Sequence, residues 1–262
     1  MADGLAEKFY DLKIIDLAKE FKMQERVIEV LKGIELSVEK GEFLSIVGAS
    51  GCGKSTLLRL IVGLEGGYTG KILVGDDKNK SEKKVGMVFQ EPRLFPWLTV
   101  AENVAFGLGS AYRGNKDNIV NEHIELVGLR DFANSYPRQL SGGMRQRIAI
   151  ARALVSKPDI LLFDEPFGAL DALTRIKMQQ EILRIWQRGK TTNIIVTHDI
   201  DEAVFLGDRV AVMSNAPGHF SKIVDVSLSR PRDRNSFDFV RIKKEIYLEF
   251  FKEEEVPYDF SI

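Results

Sequence analysis

The segment Gly48-Ala49-Ser50-Gly51-Cys52-Gly53-Lys54-Ser55 constrains this chain most. It fits the pattern G-x-x-x-x-G-K-[ST], directly after the apolar run Phe43 to Val47 and directly before the helical Thr56-Leu57-Leu58-Arg59-Leu60-Ile61. A strand, a glycine-rich turn and a helix in that order gather backbone N–H groups and a positive helix start around an anion. The glycines let the loop curl against phosphate oxygens, Lys54 reaches the β and γ phosphates, and Ser55 offers its hydroxyl to Mg2+. Gly48, Ala49, Ser50, Gly51, Cys52, Gly53, Lys54, Ser55 and Thr56 are therefore the candidate phosphate-binding residues. The bland alternative is a flexible turn, which the flanking strand and helix disfavour. Cys52 fills a variable position of the pattern, so no redox role is read for it.

The rest of the chain supplies a setting for that loop. Leu12-Lys13-Ile14-Ile15-Asp16-Leu17 and Ile34-Glu35-Leu36-Ser37-Val38 alternate apolar and polar residues, with a turn at Lys40-Gly41, and read as antiparallel strands. Phe43 to Val47, Val85 to Phe89, Ile160 to Phe163, Asn193 to Val196 and Val210 to Met213 are compact apolar runs that suit parallel strands buried on both faces. From about Glu91 to Leu154 the pieces look helical, including Ile119 to Leu126 and Arg147 to Leu154, so a helical subdomain inserted at about 91–154 is expected. Beyond Ser229 the composition changes at Arg230-Pro231-Arg232-Asp233-Arg234. A helix follows with Phe239, Ile242, Ile246 and Phe250 on roughly one face, then the acidic Glu253-Glu254-Glu255. The division expected is a main domain over 1–229 and a helical tail over 230–262. The tail helix either packs on the core, the preferred reading, or on a neighbour.

Ile160-Leu161-Leu162-Phe163-Asp164-Glu165 is an apolar strand ending in adjacent carboxylates, and parallel sheets place their ligands at such strand ends. Successive strand residues point opposite ways, so Asp164 can hold Mg2+ through water while Glu165 faces an attacking water. Alone, this strand end is as well read as a solvated edge; the phosphate loop in the same chain favours chemistry.

Composition limits the alternatives. A chain of 262 residues, 44% of them hydrophobic and 29% charged, buries a sizeable core, and a net charge of −1 gives no overall basic field for nucleic acid. The single cysteine excludes an internal disulfide, and Met1 to Tyr10 mixes charged with apolar residues where a secretory signal has an apolar core, so a cytosolic location is expected. No apolar run approaches the ~20 residues of a spanning helix, so any membrane role is peripheral.

Between loop and acidic strand stands Leu140-Ser141-Gly142-Gly143-Met144-Arg145-Gln146, which resembles the signature of the ATP-binding cassette (ABC) ATPases. Ser141 and the two glycines open a helix running to Leu154, a second anion-binding helix start. The resemblance implies that Ser141, Gly142 and Gly143 reach the γ-phosphate held by another subunit. It extends in order and spacing over most of the chain: Gln90 after Met87-Val88-Phe89 is similar to the Q-loop, Gly168-Ala169-Leu170-Asp171 to the D-loop, and His198 to the switch histidine. It implies an α/β P-loop NTPase core with a mostly parallel sheet and an N-terminal antiparallel β region. ATP and Mg2+ are the implied cofactors, with Ser55, Gln90 and Asp164 near the metal and Glu165, His198 and Gln90 as the catalytic set. Phe21 falls where the family stacks an aromatic on adenine, although it serves equally as a core residue.

Leu94-Phe95-Pro96-Trp97-Leu98-Thr99-Val100-Ala101-Glu102-Asn103-Val104 and Asp164-Glu165-Pro166-Phe167-Gly168-Ala169-Leu170-Asp171-Ala172-Leu173-Thr174-Arg175 resemble the nitrate, sulfonate and taurine import group, as do Pro217-Gly218 and Arg230-Pro231-Arg232. That resemblance implies a second ATPase subunit, transmembrane permease subunits, an extracytoplasmic substrate-binding protein, and a peripheral place on the cytoplasmic face of the cell membrane. No nucleic acid partner is expected. Bicarbonate, cyanate, aromatic and pyrimidine importers stay open, and the alternatives are an exporter subunit or a soluble cassette ATPase outside transport. Trp97 is expected either to grip a short helix of the permease or to lie in the core.

Overall fold

The computed structural model describes residues 9–23, 26–75, 83–109, 112–189 and 191–253. Met1 to Lys8 and the acidic Glu254-Glu255, both weighed above, lie outside the described residues. The chain divides into two compact units, residues 1–81 with 195–262, and residues 82–194.

In the first unit, β1 (Tyr10–Met23), β2 (Arg26–Glu39) and β4 (Tyr68–Val74) form an antiparallel sheet in the order β2-β1-β4. Leu12, Ile14 and Leu17 of β1 and Ile34, Leu36 and Val38 of β2 are buried. Strict alternation would turn Leu17 outward. A bulge corrects this: the register shifts between Ile14 and Leu17, and Asp16 takes a φ of 45°, which returns Leu17 to the buried face opposite Ile34. Gly70 faces the bulge, where a Cβ would lie 2.2 Å from the Asp16 carbonyl oxygen.

The same unit holds β3 (Phe43–Gly48), buried throughout, and α1 (Lys54–Ile61). β8 (Arg209–Met213) runs parallel to β3, and β9 (Phe220–Asp225) pairs antiparallel with β8. Two helices complete it, α6 (Ile200–Leu206) and α7 (Phe237–Glu253). α7 packs on α6, β8 and β9 through Phe239, Ile242 and Ile246. At about 1.5–3 kcal/mol per large apolar side chain, that face is enough to dock the helix. Lys243 to Asp201 at 2.5 Å and Lys222 to Glu245 at 2.7 Å add ion pairs. Ahead of α7, the buried Arg232 donates to the carbonyls of Val204, Phe205, Gly207 and Val226, capping the end of α6; burial draws its pKa down to about 10. The Arg230-Pro231-Arg232 stretch thus belongs to the packing of this unit.

In the second unit, β5 (Val85–Val88) and β6 (Ile160–Asp164) pair in parallel. Between them in sequence come α2 (Val100–Phe106), α3 (Lys116–Leu126) and α4 (Gly142–Leu154), which pack on one another. Each starts from a side-chain cap: Thr99 with Glu102 in a reciprocal capping box, Asn115, and Ser141. α5 (Ala172–Gly189) follows β6. β7 (Thr192–Thr197), buried along its length, carries the chain from this unit back into the first.

Candidate nucleotide site

The phosphate loop is framed by three glycines with different reasons. At Gly48 a Cβ would sit 2.8 Å from Cys52 Sγ and 3.0 Å from the Met213 carbonyl oxygen, so the strand end has no room for one. Gly53 caps α1 with a φ of 102°, and a Cβ there would lie 2.6 Å from Leu31 Cδ2. Gly51, with a φ of 83°, has nothing within 4 Å of the same position, which leaves the mouth of the loop open. α1 begins with no side-chain cap and no acid in its first turn, so its leading N–H groups suit an anion from outside the helix. Lys54 is buried, and its Nζ donates to the carbonyls of Gly48 at 2.8 Å and Ala49 at 2.7 Å. Cys52 is buried against it, 3.8 Å from Nζ, and burial pushes the thiol pKa up against the pull of the Lys54 charge. A protonated, covered thiol matches a packing role.

Elsewhere in the first unit, Phe21 is half-buried on β1 and pairs with Ile28. Lys19 Nζ lies 4.4 Å from its ring centroid and is held by Glu65 at 3.1 Å and the Gly66 and Gly67 carbonyls. One ring face thus meets a fixed cation. His198 is exposed at the end of β7, followed by Asp199, which caps α6 by accepting from the Glu202 N–H at 3.1 Å.

In the second unit Asp164 ends β6, buried, and Glu165 follows with a φ of 45°. That left-handed backbone costs about 1–2 kcal/mol for a residue with a Cβ and turns Glu165 away from the strand's alternation. Gln90 is exposed just beyond β5 and its Nε2 donates to Glu165 Oε2 at 3.3 Å. Ser141 caps α4 by accepting from the Met144 N–H at 3.2 Å, and no acid stands in the first turn. Gly143 packs close to Leu170, where a Cβ would approach Cδ2 to 3.2 Å. Asp171 accepts from the Thr174 N–H at 2.9 Å, and its hydrogen bonds with Thr174 hold its pKa down. Of the expected site residues, Gln90 meets Glu165, and Gly143 meets the segment ending in Asp171.

Sequence reasoning missed the residues that hold these in place. Gln146, fully buried, donates its Nε2 to the Phe89 carbonyl at 3.1 Å, tying α4 to the residue before Gln90. Asn103, also fully buried, accepts from the Phe95 N–H at 2.9 Å and donates to the carbonyls of Phe95, Leu98 and Thr99. Arg152 donates to the carbonyls of Pro92 and Arg93 at 2.9 and 2.8 Å, and burial lowers its pKa. The segment from Pro92 to Thr99 is thereby pinned by its backbone while Trp97 stays 70% exposed, tilted against Phe95 at 5.6 Å. A polar residue inside an otherwise apolar helix stripe, as at Asn103, was the available signal.

Comparison with known proteins gives the family. The family model described as ABC transporter matches residues 31–168. The chain is 48% identical over 240 residues to the aliphatic sulfonates import ATP-binding protein SsuB of Bacillus cereus, covering 91% of this chain and 95% of that protein. It is 48% identical over 241 residues to the protein of the same name from Bacillus subtilis, with 92% and 94% covered. An uncharacterized ABC transporter ATP-binding protein of Methanocaldococcus jannaschii is 46% identical over 246 residues, with 93% and 92% covered. A solved dimeric ATP-binding cassette in a post-hydrolysis state, bound to ADP and Pi, superposes with a TM-score of 0.74 at 36% identity, covering 83% of this chain and all of that one. With its phosphate loop, signature helix and acidic strand end in the family's order, this chain belongs to the ABC transporter family.

Proposed function

We propose that this chain is the ATP-binding and hydrolysing subunit that powers a multi-subunit importer, working as a pair of ATPase subunits beneath transmembrane permease subunits at the cytoplasmic face of the membrane. An extracytoplasmic substrate-binding protein delivers the cargo. The cargo is a small anion of the aliphatic sulfonate class, by similarity to the sulfonate import proteins of Bacillus. Among the described residues no helix is long and apolar enough to cross a membrane. The observation that carries the reading is the phosphate loop: an uncapped α1 start behind a left-handed Gly53, with the Lys54 ammonium held on the loop's own carbonyls.

The residues divide the work. N–H groups from Gly51 to Thr56 and the Lys54 charge hold the β and γ phosphates, and Phe21 offers a ring face to adenine. By resemblance to the family, Ser55 would offer a hydroxyl and Asp164 a carboxylate to Mg2+, and oxygen donors are what that ion takes. Among the described residues no three His, Cys, Asp or Glu side chains converge, so there is no all-protein cage, and Mg2+ ordinarily keeps waters and phosphate oxygens as ligands. A Mg2+ held there would supply positive charge against the negative charge developing on the phosphates. Glu165 takes the proton of the attacking water, Gln90 orients that carboxylate, and His198 contacts the γ-phosphate. Ser141, Gly142 and Gly143 complete the site of the partner subunit, with Asp171 at the shared interface. ATP binding closes the pair and moves the permease; hydrolysis leaves like-charged products that favour opening.

The test is calorimetry with MgATP on the parent and Lys54→Ala proteins, beside sulfonate uptake by the complete transporter in vesicles. Lys54→Ala should bind MgATP about 10–100-fold more weakly, the worth of charge-assisted hydrogen bonds. Equal affinity removes the loop from nucleotide binding, and absent sulfonate uptake overturns the substrate class.

A further inference from the structure

We infer that the loop Ser214 to His219 is part of the frame of the phosphate cradle, with Gly218 as the residue that positions the Cys52–Gly53 peptide. The inference rests on the proposal that Gly48 to Ser55 holds ATP. Gly218 is buried, and its N–H donates to the Val30 carbonyl at 2.8 Å while its carbonyl accepts from the Lys32 N–H at 3.0 Å. It is thereby fixed to β2 from both sides. A Cβ on Gly218 would lie 2.1 Å from the Cys52 carbonyl oxygen and 3.3 Å from the Cys52 carbonyl carbon. Gly218 is not among the left-handed glycines of the chain, so glycine is needed there for room and not for backbone angle.

The contact fixes an orientation. The Cys52–Gly53 bond is trans, so its C=O and N–H point opposite ways. With the carbonyl pressed on Gly218, the Gly53 N–H is directed to the other side, ahead of the α1 N–H groups that suit phosphate. The next residue is locked from the same strand: at Gly53 a Cβ would lie 3.1 Å from the Val30 carbonyl oxygen, the one that accepts from Gly218. Val30, Gly53 and Gly218 therefore form one junction. The loop has its own brace. Ser214 N–H donates to the His219 carbonyl at 2.9 Å, the His219 N–H donates to Ser214 Oγ at 2.9 Å, and Ser214 Oγ lies 2.7 Å from His219 Nδ1.

Calorimetry with MgADP on the full chain tests this, using Lys54→Ala, Gly218→Ala, Ser214→Ala and Gly207→Ala, with melting temperature as the check on folding. Gly207→Ala is the structural control, since the three atoms nearest its Cβ, Ser45 Oγ at 2.6 Å and the carbonyl oxygens of Arg209 at 2.7 Å and Ala203 at 3.1 Å, all lie outside the loop Ser214 to His219. Gly218→Ala should weaken MgADP binding about tenfold, the loss of one charge-assisted hydrogen bond, while Gly207→Ala binds as the parent does. Ser214→Ala, which loosens the brace without adding a clash, should weaken binding in the same direction; if Gly218→Ala fails to fold, this variant decides. A folded Gly218→Ala with parental affinity overturns the inference, as does equal weakening in Gly207→Ala, or parental affinity in Ser214→Ala when that variant decides. Parental affinity in Lys54→Ala instead overturns the cradle reading itself, and the inference with it.

Discussion

Gln90 Nε2 donates to Glu165 Oε2 across 3.3 Å, and Glu165 takes a φ of 45° to receive it. A residue with a Cβ holds that backbone at a cost of about 1–2 kcal/mol, and such strain collects where a side chain must face a chosen direction. The carboxylate is aimed by the backbone and steadied by an amide that arrives from the end of β5. Gln146 extends the arrangement by donating to the carbonyl of Phe89, so α4 and the Glu165 carboxylate meet the same short segment from two sides.

Glu165→Gln keeps shape and removes the proposed base, so hydrolysis should fall roughly 10²- to 10⁴-fold while MgATP affinity is retained. The closed pair should accumulate, visible as an ATP-dependent dimer in size-exclusion chromatography. Glu165→Gly should be as inactive yet melt no lower than the parent, because glycine relieves the left-handed strain. Parental turnover in Glu165→Gln would remove this residue from the mechanism.

Trp97 is 70% exposed on a segment whose backbone is held by Asn103 and Arg152. Trp97→Ala should therefore change stability by less than about 1 kcal/mol and leave the ATPase rate of the isolated subunit unchanged. Uptake by the assembled transporter should drop, because a rigid exposed aromatic is the type of anchor that grips a partner helix. Paired measurements of melting temperature and vesicle uptake check this; full uptake in the variant means that Trp97 is not the permease contact.

What was legible in the sequence follows local rules. The turn before α1 and the strand Ile160 to Asp164 could be read because their local structure depends on neighbours in the chain. Phe43 to Val47 reads as a strand for the same reason, and the observed strand, Phe43 to Gly48, is buried throughout. The bulge at Asp16 was not legible, since alternation alone misplaces Leu17 and only pairing with β2 and β4 shows the extra residue. β9 is a further strand not read from the sequence: Phe220 to Asp225 lies at a sheet edge, pairs with β8 and alternates only weakly in burial. Gly218 and Gln146 act through contacts distant in sequence, so nothing beside them in the chain announces the role. Trp97 was open between core and surface because an aromatic's type does not tell its exposure.

Cys52 gives a prediction with a definite sign. Burial raises its thiol pKa above the ordinary 9.0, with the Lys54 charge pulling the other way. The folded chain therefore holds this proton more tightly than the unfolded chain, and stability should be lost as pH rises past the ordinary thiol value. Cys52→Ala lacks that contribution, so its melting temperature relative to the parent should improve between about pH 8 and about pH 10. A difference that stays constant, or rapid alkylation of the native thiol near neutral pH, would contradict a buried and protonated Cys52.

A signature serine that serves its neighbour must behave differently from a lysine that serves its own nucleotide, and a mixed pair separates the two. Join one Lys54→Ala subunit covalently to one Ser141→Arg subunit. If Ser141 caps a helix start aimed at the partner's ATP, the damaged loop of the first subunit faces the damaged signature of the second, and both defects fall in one site. The other site keeps an intact Lys54 and an intact Ser141. Each homodimer of a single variant, by contrast, has two damaged sites. The linked mixed pair should thus show ATPase activity well above either homodimer and equal to a linked pair carrying Lys54→Ala in one half alone. That single-site pair is the control, since strict cooperativity would silence it too. An active control beside an inactive mixed pair would mean that Ser141 serves its own subunit's nucleotide, and the shared site would have to be abandoned.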